Sequence, residues 1–237
     1  MPDWRAMFAD PSAPLLLDVG AARGLFVEGT AAAFPGRNYL GLEIRAPLVE
    51  EALARTAAVR EARRNLAFVA ANVLQERVMA ALLASLASAG LRVDMVTVQF
   101  PDPWVAPKHR KRRTISPAFA SACAAGLPDG AAVYVSSDVP VVLHDGAAAL
   151  EAAGLARHVC PVAPSAAEPA GAAACGDAVD RRPLTDGEGM LLASPVGGGR
   201  VFSERDVVCE DLWRRVYRAM FFVRRPPGGG GAPEDGG

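Results

Sequence analysis

Five short apolar runs, each delivering an acid or an amide at its carboxyl end and each followed by a helical pattern, restrict this chain to a narrow set of folds. The runs are Leu15 to Val19, Tyr39 to Ile44, Leu66 to Ala70, Val93 to Phe100 and Ala131 to Ser136. Candidate helices lie between them, over 25–34, from Pro47 towards Arg64, over 74–89 and from Ser116-Pro117 onward. Strand and helix alternating in this way give a mostly parallel sheet with helices on both faces. The residues closing the strands are Asp18, Glu43, Asn72, Asp102 and Asp138. Ligands of open α/β sheets bind beyond this carboxyl edge. Buried strands have no need of acids at one common end for solubility.

At 237 residues the chain fits one α/β domain, and two would be crowded. Residues 1–14 read as a short N-terminal arm, with the domain over 15–160 and 201–225. The stretch 161–200 is rich in Ala, Pro and Gly, which predicts a disordered insertion. Residues 226–237 read as a disordered low-complexity tail. Order is expected to resume at Phe202, with a helix carrying Trp213 and a last strand over 216–223.

A formal net charge of −1 excludes a uniformly basic coat, so contact with a polyanion has to come from local charge. The four cysteines, Cys123, Cys160, Cys175 and Cys209, lack C-x-x-C spacing and a paired His, which argues against zinc and for free thiols. No metal is therefore expected. No apolar run approaches the roughly 20 residues that span a bilayer, so no membrane association is expected either. Met1 to Asp10 does not resemble a leader; the chain is expected to be cytoplasmic, or chloroplastic if a transit peptide is missing from this version.

Gly20 and Gly24 follow a strand and open a helix, where backbone N–H groups and the helix dipole favour a ligand. Ala22 stands where a dinucleotide fingerprint has its central glycine, and the third glycine is missing, which argues against NAD. Glu43 is placed to accept from a ribose diol, Asp18 to meet an ammonium group and Asn72 to pair with an adenine edge. A ligand with these three parts and no diphosphate is S-adenosylmethionine. Each residue taken alone also suits an ordinary cap or turn.

The fourth strand ends in Gln99-Phe100-Pro101-Asp102-Pro103-Trp104, and five of the six residues from Lys108 to Arg113 are Lys or Arg. Pro-Asp-Pro alone is a stiff turn, and a basic run alone is most often solvated surface. Trp104 suits either a base stack or packing of the turn, with packing favoured. Their adjacency points to chemistry on a base of a nucleic acid.

These residues carry a resemblance. Leu15-Leu16-Leu17-Asp18-Val19-Gly20, Gly41-Leu42-Glu43-Ile44-Arg45, the Asp102-Pro103-Trp104 turn, His109 with Lys111-Arg112-Arg113, and Ser137-Asp138 resemble the single-chain bacterial and plastid-like tRNA (guanine-N7-)-methyltransferases, in order and spacing. The resemblance covers about residues 15–155 and resumes at 202–222. It implies a Rossmann-like class I S-adenosylmethionine-dependent fold with a seven-stranded sheet. It implies methyl transfer to N7 of guanosine 46 in the variable loop of tRNA. Asp18, Gly20, Gly24, Glu43, Asn72 and Asp102 would bind the cofactor, Asp102 also being the catalytic residue. Lys108, Arg110, Lys111, Arg112, Arg113 and Asp138 would meet tRNA, as would Ser203, Glu204, Arg205 and Asp206, which resemble a Thr-Glu-Arg-Glu segment. The sequence departs from the family at Ala22, at Ala106 (where a lysine is common) and in its short N-terminal arm. The resemblance fits a monomer or a homodimer, with or without an accessory subunit. Alternative readings are a small-molecule methyltransferase, which has no use for 108–113, and a tRNA-binding protein impaired in catalysis.

Overall fold

The computed structural model describes residues 2–158 and 201–225, apart from residues 76, 202 and 215. The insertion expected over 161–200, the tail over 226–237, Cys160 and Cys175 lie outside the described residues. Seven strands form one sheet: β1 (Leu15–Val19), β2 (Asn38–Glu43), β3 (Leu66–Ala70), β4 (Val93–Gln99), β5 (Ala132–Ser137), β6 (Ala156–Arg157) and β7 (Tyr217–Phe222). Their order is β3-β2-β1-β4-β5-β7-β6. The first five run parallel, and β7 is antiparallel to both β5 and β6. The strand order reverses between β1 and β4, the point at which such sheets open a crevice for ligands.

The helices are α1 (Leu25–Ala33), α2 (Ala46–Arg55), α3 (Ala57–Arg63), α4 (Val78–Ser88), α5 (Pro117–Gly126), α6 (Pro140–Ala152) and α7 (Glu204–Asp211). Proline fixes the first turn of α2, α5 and α6, where its missing N–H costs nothing. Ser116 caps α5 by accepting from the Phe119 N–H at 3.2 Å.

Alternate β1 side chains point to opposite faces and define two cores. Leu15, Leu17 and Val19 pack with Leu83 and Leu86 of α4, Phe119 of α5 and Leu143 and Leu150 of α6. Leu16 packs with Phe26 and Val27 of α1, Val49 of α2 and Phe68 of β3. The N-terminal arm closes the first core: Trp4 and Phe8 are buried, and the Trp4 indole N–H donates to Ser85 Oγ at 2.8 Å.

Three expected elements differ. The single helix from Pro47 to Arg64 is two helices, because the Thr56 hydroxyl donates back to the Ala52 carbonyl at 2.7 Å and Thr56 leaves helical geometry. The helix expected from residue 74 starts at Val78, since Asn72 Oδ1 accepts from the Leu74 N–H at 3.1 Å and closes a turn first. Trp213 is not on a helix; α7 ends at Asp211, and Trp213 has φ +54°. Among the described residues no helix is long and apolar enough to cross a membrane, and no group of three or more His, Cys, Asp or Glu could hold a metal.

Candidate active site

A cleft of about 640 Å³ opens along the carboxyl edge of the sheet, a size suited to a cofactor-sized ligand. Its walls are the segments that follow β1 to β5, together with the start of α7. Of the expected cofactor residues, Asp18, Gly20, Glu43, Asn72 and Asp102 line it.

Asp18 lies at the floor, 4% exposed. Strand register puts it opposite Thr97, whose hydroxyl donates to Asp18 Oδ1 at 2.5 Å. Burial pushes the Asp18 carboxyl up from 3.8 to about 6, and the Thr97 hydroxyl opposes part of that rise. Among the described residues it is a neighbouring acid, Glu43, rather than a cation whose charge bears on this carboxylate, so a ligand cation would be favoured there.

Glu43, the last residue of β2, is also buried. Burial would raise its carboxyl, but hydrogen bonds to Arg45 and Ala22 outweigh burial and hold it below the usual carboxylate range. Oε1 accepts from the Arg45 N–H at 3.1 Å and from Arg45 Nε at 2.9 Å, and Oε2 accepts from the Ala22 N–H at 2.9 Å. Glu43 therefore ties the β1–α1 loop to the end of β2. Ala22 sits in that loop at φ +49°, a left-handed conformation that glycine adopts without strain.

The two loop glycines do different things. A Cβ at Gly20 would meet nothing within 4 Å, so the space beside it is open. Gly24 does not line the cleft. Its φ is +77°, and a Cβ there would come within 2.4 Å of the Phe68 ring, so close packing of α1 on β3 accounts for the glycine. The side chains of Ile44 and Leu74, exposed and apolar, supply flat walls on the same stretch of cleft.

The tip of β4 is held in an unusual shape. Phe100 has φ +46° while its N–H donates to the Ser136 carbonyl at 2.8 Å. Pro101 and Pro103 then fix Asp102 between them, exposed and facing the cleft. Trp104 is half-buried and packs the turn: the Arg112 guanidinium lies 4.9 Å from its ring centroid and the His109 ring 5.4 Å away.

The basic run divides by position. Pro107–Arg112 is a 3-10 turn that carries Arg110. Lys108 and Lys111 are exposed outside the cleft lining, and Arg112 is exposed within it. Arg113 is buried; its guanidinium pairs with Asp145 of α6, and its Nε donates to the Trp104 carbonyl at 3.4 Å. The Arg113 side chain thus anchors the turn from beneath.

At the opposite wall Asp138 accepts from Arg205 at 2.6 Å and from Arg214 at 3.5 Å. Ser203, Glu204 and Arg205 line the cleft there. Asp206 does not. It is fully buried, and its Oδ1 accepts from Arg218 of β7 at 2.8 Å. Burial pushes the Asp206 carboxyl up, with Arg218 and Ser203 opposing the rise. Arg45, Thr97 and Arg214 are site residues that sequence reasoning missed. Arg45 stands two residues from Glu43, a visible signal, whereas Thr97 could be found only from strand register.

Residues 12–169 match the model of a family described as "Putative methyltransferase". The tRNA (guanine-N(7)-)-methyltransferase of Synechococcus elongatus is 38% identical over 95% of this chain and 88% of its own length. That of Synechococcus sp. strain WH7803 is 40% identical over 96% of this chain and 82% of its own length. The crystal structure of the 16S rRNA methyltransferase KamB superposes with a TM-score of 0.56 at 15% identity, over 94% of this chain and 91% of that one, which shows the shared Rossmann-like fold. The chain belongs to the tRNA (guanine-N7-)-methyltransferase family.

Proposed function

We propose that this cleft methylates N7 of a guanosine in tRNA, at position 46 of the variable loop. The observation that carries the reading is the tip of β4. Asp102 is held between two prolines and faces the cleft, while Arg112 from the adjoining basic turn lines the same space. A small-molecule site has no need of that basic turn.

S-adenosylmethionine fits the residues present. The space at Gly20 is open, the buried Asp18 carboxylate has no counter-charge among the described residues, and Glu43 offers a carboxylate held in its ionised form. Asp18 would meet its ammonium, Glu43 its ribose diol and Asn72 its adenine, between the apolar walls of Ile44 and Leu74. When bound, it supplies a methyl group on a positively charged sulfur.

Guanine N7 has a free lone pair, so methylation there removes no proton and leaves a cationic base. Asp102 therefore has no general-base step to perform; its carboxylate orients the guanine and stabilises the developing charge. Asp138 presents a second carboxylate to the guanosine, and fixed alignment of the two reactants supplies much of the acceleration. Lys108, Arg110, Lys111 and Arg112 contact tRNA phosphates. Ser203, Glu204 and Arg205 form the wall opposite them. A tRNA substrate suits a compartment that translates, such as the cytoplasm or the chloroplast.

The test is incubation with methyl-labelled S-adenosylmethionine and unmodified tRNA, followed by nucleoside analysis. Labelled 7-methylguanosine, lost when guanosine 46 is replaced, supports the reading. Cofactor binding without any labelled tRNA refutes it.

A further inference from the structure

We propose that Trp213 is a stacking platform for a tRNA base next to the target guanosine; the inference rests on the function just proposed. Trp213 is 95% exposed, so its indole contributes nothing to the core. It also sits at φ +54°, a left-handed conformation that side chains larger than glycine adopt at a cost. Backbone strain combined with full exposure of the largest apolar side chain opposes folding stability on both counts. Positions of that kind concentrate at binding sites.

Its place in the fold says what it binds. Trp213 does not itself line the cleft, but the next residue, Arg214, does and reaches Asp138, so Trp213 stands at the cleft's edge in the chain. Arg205 and Arg112 line the same cleft, and a rim of guanidinium groups complements the phosphates of an RNA. An exposed aromatic residue next in sequence to the edge of a cation-lined cleft suits an unpaired nucleobase, because every base offers a π-face. Guanosine N7 chemistry in a loop leaves neighbouring bases available for such a contact.

The experiment uses the full chain and four variants: Trp213→Phe, Trp213→Ala, Trp213→Gly and, as a neighbouring apolar control, Leu212→Ala. The readouts are KM and kcat for unmodified tRNA, S-adenosylhomocysteine affinity by calorimetry, and melting temperature. Stacking predicts a KM for tRNA raised roughly 5- to 100-fold in the Ala and Gly variants and largely restored in Phe. Cofactor affinity should be unchanged, and Trp213→Gly should melt no lower than the parent because glycine relaxes the backbone. A wild-type KM in Trp213→Gly overturns the inference. So does a parent dimer in sedimentation that Trp213→Gly dissociates, which would make the indole a contact between copies. A parent chain that yields no 7-methylguanosine overturns the proposed function, and this inference with it.

Discussion

Asp18 is the residue whose environment makes the sharpest quantitative claim. Its carboxyl titrates at about 6 in the folded chain instead of 3.8, because burial penalises the anion more than the Thr97 hydroxyl rewards it. At about 1.4 kcal/mol per pH unit, keeping it ionised at neutral pH costs about 3 kcal/mol of stability. The sign follows from proton binding: the folded state holds this proton more tightly than the unfolded state. Its stabilising contribution is therefore complete below 3.8 and is lost as pH rises through about 6. A ligand ammonium beside the carboxylate would offset that cost, which ties cofactor affinity to the same titration. Asp18→Asn keeps the shape and the acceptor for Thr97 but removes the charge. In urea denaturation without cofactor, the variant should gain on the parent by about 1.5 kcal/mol between about pH 5 and 7.5, since other titrating groups are common to both. Calorimetry should show S-adenosylhomocysteine binding to the parent tighten as pH passes about 6, and bind the variant more weakly with a flat profile. Parallel stability curves for parent and variant across that window would refute the reasoning, because they would mean Asp18 is not charged against a cost.

Glu43→Ala removes both the expected ribose contact and the tie to the Ala22 N–H, so S-adenosylhomocysteine affinity should fall by about 1–3 kcal/mol in calorimetry. Asp102→Asn keeps the turn and removes the charge facing the cleft. Turnover should drop about 10²-fold with tRNA binding near normal, and a wild-type kcat would remove Asp102 from the chemistry. Replacing Lys111 and Arg112 together by Ala should flatten the salt dependence of tRNA binding by about 1–2 log units per log unit. Superimposable filter-binding curves across a salt series would show that neither residue meets a phosphate.

The five parallel strands were legible to within about a residue because they are short apolar runs, too short for helices and bounded by turn residues. What stayed hidden depends on partners distant in sequence. β6 is two residues long and exists through its pairing with β7, where Ala156 and Arg157 lie opposite Phe222 and Phe221. The break between α2 and α3 arises from one hydroxyl at Thr56 inside an otherwise helical pattern. The acids of the carboxyl edge could be read from the sequence because strand ends fix their location without reference to any partner. Charged residues in loops could not be sorted in that way. Arg112 and Arg113 are neighbours of identical type, yet the second is buried against Asp145, an acid 32 positions away that only the docking of α6 brings near.

The same limit governs the far wall of the cleft and explains its construction. Ser203-Glu204-Arg205-Asp206 reads along the sequence as four equivalent substrate contacts. Threading β7 between β5 and β6 buries Arg218, and an arginine in the core requires a carboxylate. Asp206 meets that need with one oxygen and with the other accepts from the Ser203 N–H at 3.1 Å and the Ser203 hydroxyl at 2.8 Å. The Asp206 N–H returns a bond to Ser203 Oγ at 3.2 Å, a reciprocal cap that fixes where α7 begins. With that start fixed, Ser203, Glu204 and Arg205 line the cleft, and Arg205 reaches Asp138 from there. Asp206 thus bears on the cleft through position: the buried pair carries the geometry of the sheet into the wall that Ser203, Glu204 and Arg205 form.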